Sequence, residues 1–509
     1  MQSYDILVVG GGPAGYSAAI HAARRNSQVG LVESQQLGGT CLNRGCIPTK
    51  ALLDTAAVLD SLVDGAKRGI DVNGSVNIDM PRVLRFKERV VKKMSTGIAV
   101  LLRENGIPVI EGTATIAAMD GGFYVTVTKD GQTRDFTTKK MIFAAGSLPA
   151  KIALTGADDP NLATRILTSD ELLDLDFVPE KLLILGGGVI GVEAARIFRS
   201  FGSEIHLIEV LPRLLPFLDS EVSTLLTKTL LAKKIKITTE GQVTGVRANA
   251  NGLTLILATG EEIDGSHLLI AAGRSANTAS LSPELKTLLK LDPQGFIPVD
   301  PLMKTAVDGF FAPGDVNGQC MLAHAAIEMG RRAAEAVVDE LRAISTTESP
   351  VEEYRRRIFE KPDLCELPNK DTDFFPFYVP ICIYGDPEIG AIGWTEEQAR
   401  EYFGDRVRIG RFPFAANGRA VASGHQEGFA KVVRLANSDR VVGVHLIGPG
   451  ASELINEAST MLGESALQWT AKIHAHPTCG EVLVEAIADS CGTALHLPSQ
   501  NWSTQKPGT

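Results

Sequence analysis

A chain of 509 residues, 44% hydrophobic and 22% charged, is too long for one core and sets an expectation of two to four domains. Its net charge of −10 argues against nucleic acid or an anionic membrane as a partner, since both reward basic patches. No run reaches 18 apolar residues, no basic region precedes the apolar run 6–9, and seven scattered cysteines make no secreted disulfide framework, so no membrane span and a cytoplasmic location are expected.

In chain order, the first predicted unit is a buried strand at 6–9, a turn through Gly10, Gly12 and Gly15, an Ala-rich helix, and a second strand ending at Glu33. A cysteine-bearing segment follows at 38–50, and then a helical stretch at about 80–104. A strand and turn at 141–149 carry Ala145, Gly146 and Ser147. The opening pattern then recurs. A strand at 182–185 meets Gly186, Gly188, Val189, Ile190 and Gly191, a helix runs to about Phe201, and a strand at 205–208 ends at Glu209. A run at 268–274 containing Gly273 closes this second unit. The chain then returns to the first domain over 277–345, through the segment ending at Asp315, and 346–495 reads as a third, α+β domain before a polar tail at 496–509. The expected fold is α/β, with two Rossmann-like dinucleotide-binding domains (1–149 with 277–345, and 150–276) and a C-terminal α+β domain.

The repeated turn has a specific physical meaning. The first glycine permits the tight turn, the second lets backbone approach a pyrophosphate, and the third lets helix pack on strand. N–H groups at the helix start then face the phosphates, and the acidic residue at the second strand end accepts from a ribose hydroxyl. One such turn is a weak signal. Two copies, each with the acid 23 positions after its first glycine (Gly10 to Glu33, Gly186 to Glu209), are a strong one.

Cys41 and Cys46 lie in the segment Gly38-Gly-Thr-Cys-Leu-Asn-Arg-Gly-Cys-Ile-Pro-Thr-Lys50. An ideal helix would hold residues five apart roughly 8–9 Å from each other, beyond the ~7 Å that a disulfide tolerates. A bridge therefore requires distorted backbone, which Gly45 and Pro48 would permit. A dithiol at a helix start suits reversible redox work, because the helix dipole favours thiolate. Buried structural thiols, or half of a zinc site, are the competing readings, and no second cysteine pair supplies further zinc ligands.

These motifs resemble those of the pyridine nucleotide–disulfide oxidoreductases over nearly the whole chain, and within them the dihydrolipoamide-oxidising branch. The likeness extends to Met321-Leu-Ala-His324, Tyr384-Gly-Asp-Pro-Glu-Ile-Gly390 and His474-Ala-His-Pro-Thr-Cys-Gly-Glu481. The resemblance implies that FAD is held by Gly10, Gly12, Gly15, Glu33, Gly39, Thr40, Lys50, Gly112, Ala145, Gly146, Ser147, Asp315, Met321, Leu322, Ala323 and His324. It implies NAD at Gly186, Gly188, Val189, Ile190, Gly191, Glu193, Glu209, Val243 and Gly273, with Lys50 and Glu193 paired beside the flavin and no metal. Cys41 and Cys46 would be the redox pair, His476 the base and Glu481 its orienting partner. The implied partners are a lipoyl-bearing carrier protein or domain and a second copy of the chain, in a homodimer built on 346–495. An NADP-dependent relative would carry arginines where Glu209 stands, and a mercuric-ion reductase would carry a further cysteine pair near the C-terminus, where Cys491 is alone. A flavin-bearing subunit without catalysis would not need Cys41, Cys46 and His476, all of which are present. Arg44, Cys479 and Gly480 depart from the family pattern, and 346–378 reads as an insertion suited either to partner or dimer contact or to folding on its own domain.

Overall fold

The apolar run near the N-terminus forms strand β1 (Gln2–Val9), in which Ile6, Leu7 and Val8 are wholly buried. Burial of such side chains contributes about 1.5–3 kcal/mol each, which fixes β1 at the centre of its sheet. The computed structural model describes residues 1–342 and 378–498. The insertion read at 346–378 therefore lies outside the described residues except for Tyr378, as does most of the tail. The chain divides into two contact units. One is built from Met1–Ala153, Ile166–Val178 and the segment beginning at Leu269, and the other from Leu154–Arg165, Pro179–Leu268 and the C-terminal region.

In the first unit β1 is followed by α1 (Pro13–Arg24) and β2 (Val29–Glu33), and β1 and β2 pair in parallel. The seven-stranded sheet runs in the order Val109–Glu111, β2, β1, Gln132–Phe143, Gly122–Lys129, Thr113–Met119, with Phe310–Phe311 also paired to Gln132–Phe143. Helix α1 packs on Ala323–Leu341 through small residues, since a Cβ on Gly330 would stand 2.2 Å from the Ala14 carbonyl oxygen. The cysteine segment forms two helices, α2 (Gly39–Arg44) and α3 (Cys46–Asp64).

The second unit repeats the pattern as β3 (Lys181–Leu185), α4 (Val189–Phe201) and β4 (Glu204–Ile208), with β3, β4 and Lys236–Thr238 parallel. A three-stranded antiparallel sheet follows at Val243–Asn249, Gly252–Leu257 and Glu262–Gly265. The C-terminal region is a five-stranded antiparallel sheet ordered Ile381–Ile383, Glu388–Gly393, Arg440–Gly448, Phe429–Leu435, Val407–Pro413. Two helices cover it, α5 (Ala451–Ser459) and α6 (Glu481–Ser490), and each is drawn close by a strand glycine. A Cβ on Gly390 would meet the Ala451 carbonyl at 2.4 Å, and one on Gly410 the Ala486 carbonyl at 1.8 Å.

Within this unit Lys431, 1% exposed, joins Asp219 and Glu221 of the nucleotide-motif portion to Glu396 of the C-terminal portion, at 2.9, 3.0 and 2.7 Å. Arg411 bridges Glu221 and Glu396 from outside. Among the described residues no helix is long and apolar enough to cross a membrane.

Candidate active site

The two glycine turns are built alike, atom for atom. Gly10 and Gly186 take left-handed backbone (φ +102° and +116°), and their N–H groups donate to Val32 and Ile208 carbonyls at 2.8 Å. A Cβ on Gly15 would stand 1.8 Å from the Gly10 oxygen, and one on Gly191 1.9 Å from the Gly186 oxygen. The acids at the strand ends are tied back into the turns. Glu33 accepts from the N–H groups of Gly11 and Gln35 at 2.7 Å, and Glu209 accepts from those of Gly187 at 2.6 Å and Leu211 at 2.8 Å.

Helices α1 and α4 start at Gly12 and Gly188 with no side-chain cap, whereas Asp79, Asp219, Ser282 and Thr395 cap theirs. A Cβ on Gly188 would meet nothing within 4 Å. Uncapped N–H groups beside an open glycine suit a phosphate. The residues present therefore fit a dinucleotide at each turn, with Val189 and Ile190 opening the second helix.

The redox segment is seated on the first turn. The Gly38 N–H donates to the Gly11 carbonyl at 2.8 Å, and a Cβ on Gly39 (φ +58°) would come within 2.6 Å of the Gly12 Cα. Helix breaks at Gly45, so Cys41 lies in α2 with Thr40 beside it, and Cys46 opens α3. The break lets the chain fold back: a Cβ on Gly45 would stand 2.9 Å from the Thr40 oxygen and 3.3 Å from the Cys41 Cα. The Cys46 thiol thereby comes beside that of Cys41. The Cys46 thiol pushes the Cys41 thiol well above its ordinary range, burial adds to this, and the Lys50 ammonium opposes both. Arg44, partly exposed, pairs with Asp170 at 3.6 Å.

Around this turn the unit gathers residues distant in sequence. Gly112 (φ +138°) donates to the Glu33 carbonyl at 2.9 Å. The segment 144–147 lies against Gly10, whose Cβ would stand 2.3 Å from the Ala144 oxygen. Asn277 bonds the carbonyls of Ala145 and Gly146. Ser147 donates to Asp315 at 2.5 Å and is held by Arg274, from Nε to its hydroxyl and from the guanidinium to its carbonyl. Burial pushes the Arg274 guanidinium down, and Asp315 works against that shift. Arg274 was not among the residues singled out by sequence. Its one local signal is its place directly after Gly273, which lies in this same unit with φ +117°. Met321 and Leu322 precede the helix that Ala323 and His324 begin.

The second unit holds the remaining candidates. Glu193, 4% exposed in α4, accepts from the Tyr384 N–H at 3.0 Å, and Val243 starts its strand. His476 Nδ1 lies 2.8 Å from Glu481 Oε1, and the other Glu481 oxygen accepts from the Thr478 N–H at 2.9 Å. Burial raises the Glu481 carboxyl, but Thr478 and His476 outweigh it and hold the group below the usual carboxylate range. A carboxylate only accepts, so Nδ1 carries the proton and Nε2 of the neutral ring offers its lone pair. The His476 side chain is 76% exposed. The dithiol thus belongs to one unit and the His–Glu pair to the other.

Comparison with known proteins agrees with this geometry. The model of the family described as pyridine nucleotide-disulphide oxidoreductase matches residues 4–330, and that of its dimerisation domain matches 379–487. A dihydrolipoyl dehydrogenase of Thermus scotoductus is 35% identical over 505 residues, covering 98% of this chain and 99% of that protein. The enzyme of the same name from Zymomonas mobilis is 33% identical, covering 97% and 99%. Among solved structures, the HOCl-induced flavoprotein disulfide reductase RclA of Escherichia coli, as its Cu(II) complex, superposes with a TM-score of 0.79 at 26% identity, covering 96% of this chain and 99% of that one. LpdA of Mycobacterium tuberculosis shares the fold, with a TM-score of 0.81 at 22% identity over 96% and 99%. A glycine turn used twice, a dithiol at a helix break and a match from end to end make this chain a member of the pyridine nucleotide–disulphide oxidoreductase family.

Proposed function

We propose that the protein oxidises the dihydrolipoyl group of a carrier protein or domain to the lipoyl disulfide, with reduction of NAD⁺, through a Cys41–Cys46 redox pair. The observation that carries this reading is the helix break at Gly45, which folds the chain back so that two cysteines five residues apart lie beside each other on the first dinucleotide turn. The names of the full-length relatives point the same way. We assign FAD to residues 1–149 with 277–345, NAD to 150–276, and a homodimer contact to 346–495. When bound, FAD and NAD supply the hydride chemistry.

The protein's own groups handle thiols and protons. A substrate thiolate attacks Cys41 Sγ, the Cys41–Cys46 bond breaks, and Cys46 leaves as thiolate. The second substrate thiol then attacks the mixed disulfide, which releases the lipoyl ring and leaves both cysteines reduced. Attack needs a proton removed from the substrate dithiol, and His476 Nε2 takes it while Glu481 orients the ring and stabilises the imidazolium. Because His476 stands exposed on its own chain, we assign the base at each dithiol to the partner subunit's His476. Lys50 is assigned to the FAD site and Glu193 to the NAD site. The reducing conditions that suit an exchanging dithiol, with the net charge of −10, support a cytoplasmic location.

Steady-state assay with dihydrolipoamide and NAD⁺ tests the reading. NADH formation is expected in the wild type and its loss in Cys41→Ser and Cys46→Ser. An active wild type whose activity survives either substitution overturns it.

A further inference from the structure

The segment from 471 to 480, between helices Ala466–Thr470 and α6, carries His476 without regular secondary structure. Its internal bonds are local, such as Thr478 Oγ1 to the Ala475 carbonyl at 2.9 Å. Besides the flanking Trp469 and Glu481, two side chains from more distant elements tie it down. Asn417, 3% exposed, donates to the Thr478 carbonyl at 2.9 Å. Glu457, from α5, reaches His474 Nε2 at 3.0 Å with one oxygen. Its other oxygen lies 3.4 Å from where a Gly480 Cβ would stand, so the carboxylate sits alongside the backbone at 480. Glu457 therefore bonds the segment two residues before His476 and lies beside Gly480, just before Glu481.

The other nitrogen of His474, Nδ1, faces the Lys472 carbonyl at 3.2 Å. Both nitrogens thus face groups that only accept, so the ring is fixed by two donor bonds at once when it carries both protons. Here is a second histidine–carboxylate pair beside the first, with its side chain 15% exposed against 76% for His476. The inner pair is sheltered and the outer one is presented.

We propose that Glu457 and His474 form a positioning pair that sets the reach and orientation of His476. They act through His476 and do not touch the substrate themselves. Small displacements of a proton-transferring group cost up to ~10²-fold in rate, and a ten-residue irregular segment has no hydrogen-bond ladder of its own to prevent them. The inference rests on the reading of His476 as the base for dithiol attack, and a mutant cycle separates the two.

Rapid-mixing reduction of the holoenzyme by dihydrolipoamide would be measured for wild type, Glu457→Ala, Glu457→Gln, His476→Ala and the Glu457→Ala/His476→Ala double variant. NADH oxidation by an artificial acceptor serves as the control for folding and flavin content. Glu457→Ala is expected to slow dithiol reduction by about 10–100-fold with acceptor activity retained, Glu457→Gln to recover most of that loss, and Glu457→Ala to add nothing in the His476→Ala background. A slowing of equal size in both backgrounds overturns the positioning role while leaving the base in place, as does an unchanged rate in Glu457→Ala. If His476→Ala alone is reduced at the wild-type rate, the proposed base fails and the positioning role fails with it. Should Glu457→Ala not fold, Glu457→Gln and His474→Gln are each taken through the same cycle, and a loss that persists in the His476→Ala background overturns the proposal.

Discussion

Replacing Gly45 by alanine tests the link between local backbone and redox chemistry. The new methyl carbon would stand 2.9 Å from the Thr40 oxygen and 3.3 Å from the Cys41 Cα. Both neighbours are backbone, so no side chain can swing aside, and relief requires Thr40 and Cys41 to move away from Cys46. Overpacking of this kind costs about 1–3 kcal/mol. The strain falls more heavily on the disulfide, which needs the closer approach, than on the dithiol. For a two-electron couple 1.4 kcal/mol corresponds to about 30 mV, so the midpoint potential of the pair should rise by about 20–65 mV.

Redox equilibration with dithiol buffers, read by alkylation of the opened thiols, gives the potential, and thermal unfolding gives the stability. Gly97→Ala is the control. It lies in the helix Met80–Glu104 with no atom within 4 Å of the added carbon, and should stabilise by about 0.5–1 kcal/mol. If Gly45→Ala changes neither potential nor stability, the close contact at the break does not govern the geometry of the pair.

His476→Ala should lower dihydrolipoamide oxidation by ~10²–10⁴-fold while largely sparing NADH oxidation by an artificial acceptor, with Glu481→Gln acting in the same direction but less strongly; separate half-reaction rates decide this. Glu209→Ala should reduce the preference for NAD⁺ over NADP⁺ by about 10–150-fold, the equivalent of a charged hydrogen bond, read from kcat/KM for each cofactor; equal selectivity in wild type and variant would exclude Glu209 as the discriminator. Lys431→Met should destabilise by about 3–5 kcal/mol at pH 7, because it strands buried carboxylate. Burial raises the Glu396 carboxyl, but Lys431 and its other partners hold it below the ordinary range, and Glu221 is held low by Arg411 first and by Lys431 after it. That stabilisation is present above the unfolded carboxylate pKa of about 4.3 and is lost as pH falls through the lower folded values. The stability gap between wild type and Lys431→Met should therefore be widest near neutral pH and shrink in acid, which unfolding curves at pH 7, 5 and 3.5 would show.

What could be read from sequence was whatever local backbone chemistry dictates. Gly10 and Gly186 take left-handed backbone, and a Cβ on Gly15 or Gly191 would strike the carbonyl five residues earlier, so the four belong to turns of fixed geometry and announce themselves by spacing. The break at Gly45 was legible for a related reason, since a continuous helix cannot bring Cys41 to Cys46. Contacts between distant segments leave no such period. Ser147 and Asp315 meet across 168 residues under Arg274, and Lys431 reaches Asp219 across 212. Glu457 stands on a helix whose sequence carries no sign that one of its carboxylates braces the segment around His476. The pairing of Glu457 with His474 depends on how the C-terminal helices lie on their sheet, to which Gly390 and Gly410 contribute through close approaches visible only once the strands are paired.

The central claim is that Cys41 and Cys46 cycle between disulfide and dithiol in turnover. Differential alkylation and mass spectrometry of the air-oxidised holoenzyme, repeated after anaerobic dihydrolipoamide and again after NAD⁺, follows that cycle directly. A Cys41–Cys46 disulfide is expected at the start, two alkylated thiols after the dithiol, and the disulfide restored with NADH formed after NAD⁺. Thiols at 41 and 46 that stay alkylatable throughout, while dihydrolipoamide is still oxidised, would contradict it.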